Sequence, residues 1–303
     1  MPELTSRLPA VGTTIFTVMS QLAADVGAVN LGQGFPDFDI PEPLAELLAR
    51  AVRDGNNQYA PMAGLPALRE AITACTEAAY GYRAEAATEI TVTSGATEAI
   101  FNAILAVVHP GDEAIVLDPS YDSYEPGILM AGGTCVHVPL RPADFSVDWA
   151  ALAAAVTPRT RLIIVNSPHN PTGAIWSADD VARLGALAEE HDLLVISDEV
   201  YQHIVFDGRR HESVLRSPQL AARAFVVSSF GKTYHCTGWK VGYCIAPAAL
   251  TAEFRKVHQY NTFATSTPAQ WVFAGMLSAH PEHAAALGAF YEAKRDGFRA
   301  QLA

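Results

Sequence analysis

The stretch SSFGKTYHCTGWKVGYCIAP (228–247) follows a strand-like apolar run, and its loop offers Lys232 among small residues, with Lys240 eight positions further on. A lysine held there loses hydration and feels a neighbouring positive charge. Both effects lower its pKa and make the neutral amine available as a nucleophile. A surface loop lysine has the same local sequence, so the motif alone leaves that plainer reading open. Lys240 reads either as an ordinary strand charge or as a ligand for an anion.

Two further segments place polar groups at the ends of apolar runs. LLVISDEVYQHI (193–204) ends its run in Asp198 and Glu199, with Tyr201 close behind. Acids at the carboxyl end of a parallel strand lie where open α/β sheets bind ligands. A charged Asp198 there needs a cationic partner, and a protonated pyridine nitrogen is one that fits. The alternative, that Asp198 caps a following helix, is equally compatible with the sequence. NSPHNPTG (166–173) also comes directly after an apolar run, and Asn-Pro-Thr-Gly is a turn signal whose Asn side chains are free to bond outward. In TSGATEAI (93–100) a glycine links a strand to a helix start, whose N–H groups are suited to an anion but occur equally at plain helix starts.

The elements that must position these residues alternate. EITVT (89–93), AIVL (114–117), TCVHV (134–138), RLIIVN (161–166), LLVIS (193–197), AFVVSS (224–229) and VGYCIA (241–246) are short apolar runs. Such runs mark strands buried on both faces. Helical stretches separate them, among them SADDVARLGALAEEH (177–191), with Ser177 as N-cap and Asp180 three residues on. This predicts an α/β fold with a largely parallel central sheet flanked by helices. Before it come a mixed segment and the Gly/Pro-rich LGQGFPDFDIPEP, then a helix over 42–53; a long amphipathic helix over 282–302 ends the chain.

Composition narrows the class. The 303 residues are 50% hydrophobic and carry a formal charge of −12, which disfavours nucleic acid and anionic membrane as partners. The four scattered cysteines form no C-x-x-C pair and read as reduced, buried residues. MPELTSRLPAVGTTIF lacks the charged and apolar regions of a secretory signal, and no apolar run approaches the ~20 residues needed to span a bilayer. A cytoplasmic location is the expectation. Walker, dinucleotide-binding and nucleophile-elbow motifs are absent, and the ten histidines show no metal-ligand spacing, so no metal is expected.

Taken together, a lysine nucleophile, a strand-end Asp, an Asn turn and an anion-binding helix start resemble the class I/II aminotransferases of fold type I, which depend on pyridoxal 5′-phosphate (PLP). The likeness is strongest to the branch containing methionine aminotransferase and the kynurenine/glutamine transaminases. LGQGFPDF, NQYAPMAGLPALREAI, DPSYDSYEP, NSPHNPTG, SDEVYQHI and SFGKTYHCTGWKVGY carry it over essentially the whole chain. The resemblance implies that Lys232 binds the cofactor aldehyde and moves the proton between substrate and cofactor, while Asp198 pairs with the ring nitrogen. It implies that Tyr201 and Asn170 hydrogen-bond the ring oxygen and that Tyr121 stacks on the ring. Gly95, Ala96, Thr97, Ser229 and Lys240 would hold the phosphate, and Tyr59 would reach the phosphate of the neighbouring subunit of a homodimer. Gly32 and Asn170 would meet the substrate carboxylate, and Phe16 the substrate side chain. Cis bonds are expected before Pro119 and Pro171.

The same resemblance implies a large PLP-binding domain over 36–280, with 1–35 and 281–303 as an N-terminal arm and an incomplete small domain. The family continues beyond position 303 into a segment whose Arg grips the substrate carboxylate as a fork. Arg295 and Arg299 do not match that motif, and PLP binding is expected to survive better than turnover. The reaction expected is transfer of the amino group of a hydrophobic, aromatic or sulfur-containing amino acid to a 2-oxo acid. The alternatives are β-elimination from cysteine conjugates, which uses the same labilised Cα–H bond, and a PLP-binding protein of reduced activity.

Overall fold

The computed structural model describes every residue except Met1, Glu3, Phe35, Asp37 and Ala303. Phe35 and Asp37 of the LGQGFPDF motif therefore lie outside the described residues. The chain divides into two compact units, Met1–Asp39 and Ile40–Ala303. The first is organised on α1 (Ile15–Asp25), where Thr14 caps the helix by accepting from the Thr17 N–H at 3.3 Å. Asn30 ties the returning segment to this helix, donating to Ser20 Oγ at 3.0 Å and accepting from the Gly32 N–H at 2.9 Å.

The second unit runs α2 (Glu42–Arg53), α3 (Pro66–Tyr80), β1 (Ile90–Thr93), α4 (Gly95–Val107), β2 (Glu113–Asp118), α5 (Tyr124–Met130), β3 (Thr134–Pro139), α6 (Trp149–Ala155), β4 (Thr160–Asn166), α7 (Ala178–Glu190) and β5 (Leu194–Asp198). It continues with α8 (Pro218–Ala221), β6 (Ala224–Ser229), α9 (Phe230–Thr233), β7 (Gly242–Ile245), α10 (Ala248–Asn261), α11 (Thr267–Ala279) and α12 (Pro281–Leu302). Each predicted strand is present. Helix α7 begins with the expected capping box, in which the Ser177 hydroxyl accepts from the Asp180 N–H and Asp180 accepts from the Ser177 N–H.

One seven-stranded sheet has the order β1-β7-β6-β5-β4-β2-β3. The pairings β2–β3, β2–β4, β4–β5 and β5–β6 are parallel, while β7 is antiparallel to both β1 and β6. Alternate residues of β2, β4, β5 and β6 enter two different apolar clusters. Ala114 and Val116 pack with α4, α5 and Phe254 of α10, whereas Ile115 and Leu117 face the layer of α2, α3, α7 and α11. Burial on both faces is why these strands read as unbroken apolar runs rather than as an alternation. Helix α12 lies on this unit as well: His283 Nε2 donates to Thr233 O at 2.8 Å, and a methyl on Gly288 would sit 2.8 Å from Val205 O.

Cis peptides precede Pro119 and Pro171 as expected, and a third precedes Pro168. Two local expectations change. No helix follows Asp198: its Oδ1 accepts from the Val200 N–H at 3.2 Å in a turn, so the capping alternative fails. Lys232 stands in the one-turn helix α9 rather than in a loop, because Ser229 caps that turn by accepting from the Gly231 N–H at 3.2 Å.

Candidate active site

Because β1 and β6 are both antiparallel to β7, β1 runs in the same direction as β6 and the parallel strands beyond it. The carboxyl ends of β1, β4, β5 and β6 therefore open on one edge of the sheet, where such folds bind ligands. In register, Asn166 stands beside Asp198, and Gly242 beside both Ser229 and Thr93. The topology thus collects the four sequence motifs at one site.

The anion-binding end is built on the start of α4. Gly95 has φ +80°, a conformation side chains rarely adopt, and it turns the chain from β1 into the helix. Gly242 lets β7 pass directly beneath: a methyl there would lie 2.9 Å from Gly95 C and 3.0 Å from Ala96 N. N–H groups in the first turn of a helix lack intrahelical acceptors. Over them folds Lys240, whose Cε and Nζ are each 3.4 Å from where a Gly95 methyl would sit. Lys240 has φ 52° and ψ 51°, a left-handed backbone costing a non-glycine residue about 1–2 kcal/mol. Thr97 Oγ1 meets the Tyr121 hydroxyl at 3.4 Å, joining this end to the ring-binding end.

At the ring-binding end Asp198 is only 6% exposed, and Tyr124, itself buried, donates to its Oδ2 at 2.8 Å. Burial pushes the Asp198 carboxyl up to about 6, against the pull of the Tyr124 hydrogen bond. Among the described residues no Lys, Arg or His lies within ion-pair distance of it. Tyr201 is pushed up to about 12 by burial and then by the Asp198 charge. Lys232 Nζ is 5.7 Å from the centre of the Tyr201 ring, and its pKa is lowered by desolvation and then by the Lys240 charge. Tyr121 stands edge-on to Tyr124, ring centres 5.6 Å apart. Asn170 is set by its neighbour: its N–H donates to Asn166 Oδ1 at 2.6 Å, while Asn166 Nδ2 donates to Asp198 O at 2.8 Å.

A cleft of about 510 Å³ opens beside Asn170 and Tyr201, walled by Ile175, Ile204, Phe206 and Arg295. Arg295 donates to both carboxylate oxygens of Asp207 at 2.8 Å, so its fork is already engaged. Tyr59 stands apart from these groups, 83% exposed and packed edge-on against Phe263. Phe16, on α1, and Gly32 belong to the N-terminal unit. The sequence reading missed Tyr124, Gly242 and Asn166. For Tyr124 a signal existed, since the spacing Tyr121-x-x-Tyr124 suits two rings on one face of a turn.

The donor set suits PLP. A helix start with Ser229 and a lysine offers a phosphate site, a desolvated amine suits an aldehyde, and a buried carboxylate with no cation beside it among the described residues suits a protonated ring nitrogen. A mostly parallel sheet that delivers these groups to one edge defines a PLP-dependent transferase of fold type I. More narrowly, the chain belongs to the class I and II aminotransferases, whose family profile matches residues 26–303. A curated relative from Escherichia coli, methionine aminotransferase, is 57% identical over 291 residues, covering 96% of this chain and 75% of that protein. A probable N-succinyldiaminopimelate aminotransferase of Mycobacterium tuberculosis is 45% identical over 98% of this chain and 75% of its own length. The solved structure of Escherichia coli YbdL, for which a methionine aminotransferase function was identified, superposes with a TM-score of 0.96 at 56% identity, covering 98% of this chain and 78% of that one. Among the described residues, no helix is long and apolar enough to cross a membrane.

Proposed function

We propose that this aminotransferase takes methionine or an aromatic amino acid as donor and passes its amino group to a 2-oxo acid. The observation that carries the site assignment is Asp198, a buried carboxylate pushed up to about 6 with no cation among its described neighbours. When bound, PLP supplies the electron sink that weakens the substrate Cα–H bond. Asp198 keeps the proton on the ring nitrogen. Lys232 Nζ would hold the cofactor through its aldehyde and, once displaced by the incoming substrate amine, would be the base that carries the proton from the substrate Cα to the cofactor carbon. Tyr201 and Asn170 hydrogen-bond the ring oxygen, and Tyr121 covers the ring face. Gly95, Ala96, Thr97, Ser229 and Lys240 hold the phosphate. Asn170, at the mouth of the cleft, receives the substrate carboxylate. The chain acts as a homodimer in which Tyr59 reaches the neighbouring protomer's phosphate, a role its 83% exposure supports. The donor preference rests on the 57% identity with methionine aminotransferase and on the apolar wall of Ile175, Ile204 and Phe206.

The test uses the purified chain loaded with PLP and supplied with methionine, phenylalanine or glutamine and a 2-oxo acid. Formation of the donor's oxo acid, fastest with methionine or phenylalanine, is the expected result. Borohydride reduction should fix the cofactor on the peptide containing Lys232. Fixation at Lys240, or no oxo acid from any donor, would refute the proposal.

A further inference from the structure

Glu98 lies in the first turn of α4, immediately after Gly95–Thr97, and is paired with a histidine from a distant helix. His258 Nδ1 is 2.8 Å from Glu98 Oε1, with side-chain exposures of 0% and 9%. The same carboxylate accepts from the Ser94 N–H at 2.6 Å and from Asn102 Nδ2. Among the described residues three nitrogen groups converge on this carboxylate. His258 Nε2 is 2.9 Å from Met62 O, a group that only accepts. Each ring nitrogen therefore faces an oxygen that accepts, the arrangement in which an imidazole can donate from both sides. Cys244 on β7 also feels this carboxylate: burial raises its thiol pKa, and the Glu98 charge raises it further.

A carboxylate here has two opposed effects. It suits the positive end of the helix and, by holding the Ser94 N–H, shapes the turn. It would also place a negative charge in the same first turn of α4 that is proposed to hold the phosphate. We propose that His258 is the counter-ion that lets Glu98 shape the phosphate-binding turn without repelling the phosphate, and so acts as a positioning residue for the cofactor. This rests on the site reading above but concerns residues that reading does not use.

The experiment compares PLP with pyridoxal, which lacks the phosphate, on the full chain. In H258Q the Glu98 charge is uncompensated, so PLP affinity should fall about fivefold or more while pyridoxal affinity holds. The double variant E98Q/H258Q should recover the wild-type ratio of the two affinities. Should H258Q not fold, E98Q carries the test alone, with a ratio at or above wild type as the supporting result. Equal losses for PLP and pyridoxal in H258Q, no loss of either in H258Q, or a ratio below wild type in E98Q would overturn the proposal. A wild type that binds inorganic phosphate but is not modified by PLP at Lys232 would instead overturn the site reading.

Discussion

The Tyr124 hydroxyl points its hydrogen at Oδ2 of Asp198 from 2.8 Å, and it is the only side-chain donor to that carboxylate among the described residues. Burial favours the neutral acid, and Tyr124 works against it by stabilising the charged form. The pair therefore decides how much of Asp198 is ionised near neutral pH, and with it how firmly a ring nitrogen stays protonated.

Replacing Tyr124 with Phe removes that donor and should raise the Asp198 pKa further. A hydrogen bond to a charged group is worth ~1.5–3 kcal/mol, which corresponds to a rise of about one unit or more. The acid limb of the kcat/KM profile should move to higher pH by that amount, with activity at pH 7 lower by about twofold for a one-unit rise and about tenfold for a two-unit rise, and a smaller deficit at pH 9. An acid limb that stays in place would show that Tyr124 does not act through Asp198.

Asp198 should also cost the cofactor-free chain stability. Its folded pKa of about 6 stands above the ordinary 3.8, so the folded state binds the proton more tightly than the unfolded state. Its contribution is fully present below about pH 4 and is lost as pH rises through about 6, a change of roughly 3 kcal/mol at 1.36 kcal/mol per unit. Without PLP, Asp198→Asn should therefore be more stable than the parent at pH 7–8 by up to about that amount, and the gap should close toward pH 4. Urea unfolding at both pH values measures it; a gap independent of pH is the contrary result.

Phe273 of α11 stacks on Phe230, with ring centres 4.4 Å apart and planes 12° from parallel. Phe230 opens the one-turn helix that carries Lys232, so the packing reaches the amine through one turn of backbone. Phe273→Ala should destabilise the protein by about 3–5 kcal/mol. Phe273→Leu fills more of the space and should fold with a smaller loss while releasing PLP faster. Equal PLP release from the Leu variant and the parent would separate the core from the site.

How much was legible follows from how local each signal is. The strands announced themselves because both sheet faces are covered, as Ala114/Val116 and Ile115/Leu117 show. Their direction did not, since an apolar run such as VGYCIA reads alike either way, and β7 proved antiparallel to its neighbours. Helix α11 (TPAQWVFAGMLSA) passed unnoticed because so many of its residues are apolar that no single stripe stands out. Asp198 was visible as an acid directly after an apolar run, and Lys232 and Asn170 as polar residues within four positions of the end of one. Tyr124 and His258 were not, because their partners lie 74 and 160 residues away along the chain.

Gly242 gives the strictest geometric expectation. A methyl there would lie 2.6 Å from Ser228 O, 2.9 Å from Gly95 C and 3.0 Å from Ala96 N, all backbone atoms that no side-chain rotation can clear. Gly242→Ala must push β7 away from the start of α4, at a cost of about 1–3 kcal/mol. The displaced atoms are those proposed to hold the phosphate, so PLP affinity should fall more than pyridoxal affinity. Gly238→Ala serves as the control in the same segment, since nothing lies within 4 Å of its added methyl. Denaturant unfolding and the two dissociation constants, measured on both variants, should show loss in Gly242→Ala alone. Matching behaviour of the two variants would mean that β7 and α4 are not in the contact that the anion site requires.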